Sequence, residues 1–302
     1  MTRYWCNTHH KNLNLILRDI KARSTAALMR LLQHKMLVLF ALLGLAACGS
    51  QPYEPELVDE ISPGYLRGYL PFVSLPDSLA LLPPPPALDS PATALDQSLN
   101  SYALTLQGTP RWQLAAADAE LRFPAAARTF SCAVGASITA EGTPHLYRLM
   151  RRSLTDAGIS ARGAKNHYKR QRPFMTNGEA TCAPETQARL RVNGSYPSGH
   201  TAIGWAWGLI LSEVVPERAD ALIARGRAFG VSRMICNVHW MSDVEAGRAM
   251  GAATVARLHG DEVFMLDVEA AKGEMTALRG GGEMLGHDCE GEMRALGQTP
   301  VL

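Results

Sequence analysis

The sequence predicts an all-α fold, a compact helical bundle, on three observations. From about Ser101 onward Ala, Leu, Arg and Glu dominate, and long stretches alternating apolar and polar residues are missing. Windows at 111–121, 123–137, 144–157, 159–170, 198–214, 217–234, 238–258 and 261–275 read as helices, several with start signals: Ser160, Pro216 and Asp261. Thr201–Leu211 is apolar nearly all round, as in a central buried helix, and its flanks His200 and Glu213 argue against a membrane span. The chain of 302 residues is 47% hydrophobic and 19% charged, which excludes collagen, coiled-coil and disordered classes. Its net charge of +2 offers no argument for nucleic-acid binding.

The segments before the helices have other jobs. Residues 1–47 carry seven basic side chains and one acid, so residues 48–302 keep 23 basic and 27 acidic groups, a net of −4. An anion site in that acidic remainder has to be built from a few converging cations. Leu37–Ala47 is a short apolar run behind Arg30, His34 and Lys35, the layout of an export signal and far below the roughly 20 residues that span a bilayer. A short buried core helix is the other reading, and the polar Gly49–Pro52 that follows favours the signal. Leu45-Ala46-Ala47-Cys48 resembles a bacterial lipobox, which implies cleavage before Cys48 and acylation there. Gly49 in place of Asp implies the periplasmic face of the outer membrane, a soluble periplasmic protein being the alternative. A signal starting at Met29 has ordinary proportions, so residues 1–28 form an oddly long leader. Residues 48–100 are rich in Pro, Ser and Leu, with Pro83–Pro86 in a row, and read as an extended tether rather than helix. The helical domain then runs over 101–278, and 279–302 reads as a frayed Gly-rich tail.

In an oxidising compartment Cys132, Cys182, Cys236 and Cys289 allow three full disulfide connectivities, and spacing alone chooses none of them. Cys289, in the tail, is a poor candidate for a structural bridge.

Three motifs carry chemistry. Lys165 and Arg172, seven apart, fall on one face of a helix that Pro173 stops, and a point charge beside a planar fork suits a phosphoryl group. Alone such a pair is most often a solvated face. Pro197-Ser198-Gly199-His200 opens the buried helix: Ser198 is a good N-cap, Gly199 admits close approach, and the helix N-terminus attracts anions. An ordinary cap with an incidental His is an equal reading of that motif alone. Ser232-Arg233, then His239 and Asp243, puts a carboxylate at i+4 from an imidazole, where it can fix the tautomer and leave the other nitrogen nucleophilic. By itself this too is most often a surface contact.

Together the motifs are specific. The order Lys165-x6-Arg172-Pro173, PSGH, Ser232-Arg233-x5-His239-x3-Asp243 resembles the three-part pattern of the type 2 phosphatidic acid phosphatase superfamily, which includes vanadium haloperoxidases. NGSYPSGHTAIGW, SRMICNVHWMSDVEAG, the PPPP run and RWQLAAADAEL are similar to the class A bacterial nonspecific acid phosphatases, over roughly residues 65–275. Asn237, Met241 and Glu245 stand where that family more often has Gly, Gln and Asp. The resemblance implies a helical bundle of the acid phosphatase/vanadium haloperoxidase type and an acid phosphatase of broad specificity that needs no metal or other cofactor, with phosphotransfer as a side activity. It implies His239 as nucleophile, Asp243 as its orienting group and His200 as general acid and base. Lys165, Arg172, Ser198, Gly199 and Arg233 would bind the phosphate. His239 would be neutral and His200 charged, giving a bell-shaped pH profile peaking at about 5–6.5. It also implies a Cys182–Cys236 disulfide. Partners would be small phosphate monoesters, with the membrane touched only through the lipid on Cys48, and a homo-oligomer stays open. A vanadate-dependent haloperoxidase would use the same residues for a cofactor, and a noncatalytic phosphate-binding lipoprotein would not need the His–Asp pair. An integral lipid pyrophosphatase would need several spanning helices after the signal.

Overall fold

The computed structural model describes residues 57–281 and 288–299. The leader, the export signal and Cys48 lie outside the described residues. The first described element is a hairpin, β1 (Glu60–Ser62) paired antiparallel with β2 (Tyr65–Leu66), turned by Gly64 at φ +85°. Helices follow: α1 (Ser78–Leu81), α2 (Pro91–Leu104), α3 (Pro110–Ala117), α4 (Ala125–Arg128), α5 (Ser131–Val134), α6 (Pro144–Ser160), α7 (Arg162–Tyr168) and α8 (Pro173–Asn177). After them come α9 (Gln187–Arg191), α10 (Gly199–Val214), α11 (Ala219–Ile235), α12 (Met241–Leu258), α13 (Glu262–Gly281) and α14 (Cys289–Leu296). Apart from the hairpin, the regular structure of the described residues is helical.

Local chemistry explains the starts. Ser90 and Thr109 cap α2 and α3 by accepting from Thr93 N (3.2 Å) and Trp112 N (3.4 Å), each with proline in the next position, where a missing N–H costs nothing. Asp261 accepts from Phe264 N at 2.9 Å and so caps the start of α13. Pro216 opens a short 3₁₀ turn just before α11. Ser160 is no start signal; it ends α6 and returns its hydroxyl to Ala157 O at 2.8 Å.

The apolar α10 sits at the centre and packs on α6, α11 and α12, with α13 lying on α6. Trp207 on α10 is fully buried, meets Phe123, Phe130 and Phe229 in edge contacts, and donates from Nε1 to Met150 O at 3.0 Å. Gly247 on α12 lets that helix touch the start of α10: a Cβ there would lie 2.5 Å from Ser198 O.

Three larger expectations fail as well. The segment read as a tether up to residue 100 holds α1 and most of α2, because Pro91 stands at the one helical position where proline is favourable and Ser90 caps it. The window 123–137 is broken into α4 and α5, with Phe130 at the break and buried against Trp207. The C-terminal segment contains α14, packed on α3 and bonded covalently through Cys132–Cys289, against the expectation for Cys289. Asp288 caps it by accepting from Gly291 N at 2.8 Å, and Glu292 on it accepts from Arg225 at 2.8 Å. Cys182–Cys236 is the second disulfide.

Candidate active site

Backbone bonds draw the three motifs together. Ser195 N donates to Arg170 O (2.8 Å) and Ser198 N to Asp243 O (2.9 Å), which ties the first motif to the second and the second to the third. The chain leaves α11 in a tight turn, Val238 N and His239 N both donating to Arg233 O at 3.2 and 3.3 Å. Asn237 makes this turn possible. It sits at φ +61°, a region that Gly enters freely and Asn tolerates. Its side chain accepts from Asn100 Nδ2 and exchanges hydrogen bonds with Asn177, a polar link to α2 and α8.

Two placements differ from the sequence reading. Lys165 and Arg172 do not share a helix. Lys169, in the left-handed region at φ 46°, ends α7, and Arg172 is extended at the N-cap of α8, as a residue before proline prefers. His239 lies before α12, not on it. Asp243 is in the first turn and its Oδ2 accepts from Trp240 N at 2.8 Å, so one carboxylate caps the helix and reaches back to His239 Nδ1 at 3.4 Å.

The side chains converge on a cavity of about 300 Å³, lined among others by Lys165, Arg172, Gly199, His200, Arg233 and His239. Ser198 lies behind it, fully buried, its hydroxyl capping α10 by accepting from Thr201 N at 3.2 Å. Lys165 Nζ donates to the carbonyls of Gly194 (3.0 Å), Ser195 (3.3 Å) and Pro197 (2.7 Å). Arg172 donates to the carbonyls of Leu190, Asn193, Gly194 and Val238, and its Nη1 lies 3.1 Å from His239 Nε2. A guanidinium only donates, so Nε2 is the nitrogen with the lone pair and Nδ1 carries the proton toward Asp243. Arg233 differs: it is 2% exposed, and its Nε and Nη1 find no partner among the described residues. Unpaired buried donors are costly, and those of Arg233 belong to a side chain that lines the cavity, where a ligand oxygen can meet them.

Burial, then the neighbouring guanidinium of Arg172, pulls Lys165 down to about 7. Burial also lowers Arg172 to about 10 and Arg233 to about 9. Burial first, then Arg172, Lys165 and Arg233, holds His239 well below the usual imidazole range, which keeps it neutral as expected. His200 departs from expectation. Burial, then Arg233, also pushes it down, so among the protein's own groups it too is neutral. Its Nε2 donates to Ala119 O at 3.1 Å, leaving Nδ1 as the nitrogen that can exchange a proton. An anion beside Arg233 would offset the charge part of this shift, though not the larger part that burial causes.

Sequence reasoning missed the support beneath His239. Arg170 bridges two carboxylates, Asp243 Oδ1 at 2.7 Å and Asp96 Oδ2 at 2.9 Å, and Ser195 Oγ donates to Asp243 Oδ2. Asp96, on α2, also accepts from Ser242 N at 2.8 Å. Arg170 stood in the motif stretch AKNHYKRQRPF and Ser195 beside PSGH, but only the pairing reveals their use. Among the described residues no three His, Cys, Asp or Glu side chains gather as a metal site would require.

The model of the PAP2 superfamily matches residues 151–261, a span that holds all eight site residues expected from the motifs. The chain is 45% identical over 204 residues to a non-specific acid phosphatase of Providencia stuartii, covering 67% of this chain and 82% of that protein. It is 39% identical over 203 residues to an acid phosphatase of Zymomonas mobilis, covering 67% and 77%. Over 195 residues it is 45% identical to a non-specific acid phosphatase of Salmonella typhimurium, covering 64% and 78%. With the helical fold and the clustered motif residues, these likenesses establish that the chain belongs to the non-specific acid phosphatases of the PAP2 superfamily.

Proposed function

We propose that this acid phosphatase hydrolyses phosphate monoesters of varied alcohols through a phosphohistidine on His239. The observation that carries the reading is Arg233, with two buried donors lacking a partner among the described residues, in the cavity that Lys165, Arg172, His200 and His239 also line. The three cations hold the equatorial oxygens, which is the charge neutralisation that phosphoryl transfer chiefly requires. The first-turn N–H groups of α10, at Gly199 and His200, add donors at the positive end of a helix.

A phosphoryl oxygen takes over Arg172 Nη1 and frees the Nε2 lone pair. Nε2 attacks phosphorus in line, the P–N bond forms and the ester P–O bond breaks. His200 gives the departing alkoxide a proton from Nδ1. Asp243 and Ser195 hold the Nδ1–H side of the resulting imidazolium. Water then attacks phosphorus, His200 removes its proton, and the P–N bond breaks to release phosphate. An acceptor alcohol in place of water gives phosphotransfer. Because His200 becomes charged only beside the phosphoryl group, the rate belongs to the acid side, peaking at about pH 5–6.5. The working protein is exported and tethered by acylated Cys48, and two disulfides suit such a compartment. Mass spectrometry of the membrane fraction tests that acylation.

The deciding experiment is hydrolysis of p-nitrophenyl phosphate in chelator by the wild type and His239→Ala, with a labelled ester quenched in alkali. Label should appear on His239, and the variant should lose about 10⁴-fold or more. Full activity in the variant, label on another residue, or dependence on added metal overturns the proposal.

A further inference from the structure

Beside the cation floor the catalytic cavity has an apolar lining: Leu121, Leu154, Ile159, Leu190 and Ile203, together with Ile61 and Tyr65 of the N-terminal hairpin. Away from the floor the polar side chains of the lining are Ser62, Thr155, Arg162, Arg189 and Asn193, and the Thr155 hydroxyl is committed to Leu66 O at 2.7 Å.

The hairpin is not a loose flap. Four side chains of α6 clip it and the irregular stretch that leaves it. Arg151 donates to Glu60 Oε1 at 2.9 Å, and Arg152 to Gly68 O at 3.0 Å. Thr155 takes Leu66 O, and Asp156 accepts from Tyr69 N at 2.8 Å and Leu70 N at 3.1 Å. Gly68 presses so closely that a Cβ there would meet the Asp156 carboxylate at 2.2 Å. Arg152 also stacks 3.7 Å over the Tyr69 ring. The same helix supplies Leu154 and Ile159 to the cavity, so one helix holds both hairpin and apolar wall.

We infer that the hairpin β1–β2 is a leaving-group wall of the active site, and that Tyr65 and Ile61 select phosphate esters whose alcohol is flat or apolar and about one ring in size over esters of polyols. A cavity of about 300 Å³ shared with the phosphoryl group leaves space for one such body. Burying a ring against aliphatic and aromatic side chains is favourable, whereas polyol hydroxyls set against those same side chains give up water that the aliphatic groups cannot replace. The wall acts on an ester only where the floor holds its phosphoryl group, so it rests on the function proposed above.

Calorimetric binding of phenylphosphonate and methylphosphonate separates the two, because neither is hydrolysed and both present the same anion to the floor. The wild type should prefer phenylphosphonate. Tyr65→Ala and Ile61→Ser, each at an exposed or half-buried position outside the α6 clips, should lower that preference by about fivefold or more while methylphosphonate binding stays within about twofold. An unchanged preference, or an equal loss for both phosphonates, overturns the wall. Failure of the wild type to bind either phosphonate overturns the phosphate floor and the wall with it. Binding of both without discrimination removes the wall alone. The corresponding kcat/KM ratio for phenyl phosphate against glycerol 2-phosphate should shift in the same direction in the two variants.

Discussion

Lys165 shows how one buried side chain can set a pH limit. Its ammonium is held by three carbonyls and its protonation is pulled down to about 7, so it is charged below that pH and neutral above it. Sulfate keeps one charge state across this range and is a clean reporter. Its competitive inhibition constant should rise as pH passes about 7, and Lys165→Met should weaken binding at pH 6 by about tenfold and abolish the pH step. A step that persists in the variant assigns the titration elsewhere. At this scale the sequence was informative where a motif fixes neighbours through a turn or a cap. Ser198 does start α10, and Asp243 does reach His239. It was silent on Arg170, whose partners Asp96 and Asp243 are 74 and 73 residues away. A basic residue in a basic stretch carries no local mark of the carboxylates it will meet. The setting of His200 was hidden for a related reason: its protonation depends on burial and on Arg233, which spacing does not report.

At the scale of elements, the site depends on how closely α12 can approach the first turn of α10. A methyl at Gly247 would sit 2.5 Å from Ser198 O and 2.8 Å from Thr201 Cβ. Gly247→Ala should therefore cost about 1–3 kcal/mol in urea melts and lower kcat, because the turn carrying Gly199 and His200 must shift. Gly273→Ala, on α13 with nothing within 4 Å of the new Cβ, should instead gain up to about 1 kcal/mol and leave kcat unchanged. The long helices were legible because their composition and end signals agree. Helices α1, α2 and α14 were not. Proline-rich and glycine-rich surroundings argued for extended chain, and only the caps at Asp77, Ser90 and Asp288 argued otherwise. The split between α4 and α5 reflects the packing of Phe130 on Trp207, a tertiary cause that no window of sequence displays.

Across the whole molecule, covalent links tie distant parts of the chain. Cys132–Cys289 joins residues 157 apart and holds α14, whose Glu292 pairs with Arg225. Arg225 in turn grips the buried Asp118, which also accepts from Ser232 Oγ at 2.6 Å. Replacing both cysteines by serine should cost about 2–4 kcal/mol in denaturant melts. A loss of under 1 kcal/mol would mean that α14 is held mainly by its side-chain contacts. Arg233, next to Ser232 in the chain, carries the remaining consequence. Its two donors without a partner among the described residues suit a tetrahedral oxyanion, including the product of the proposed reaction. As orthophosphate accumulates it should linger and slow turnover, while a protein purified in phosphate or sulfate buffer should melt later and carry its passenger into the assay.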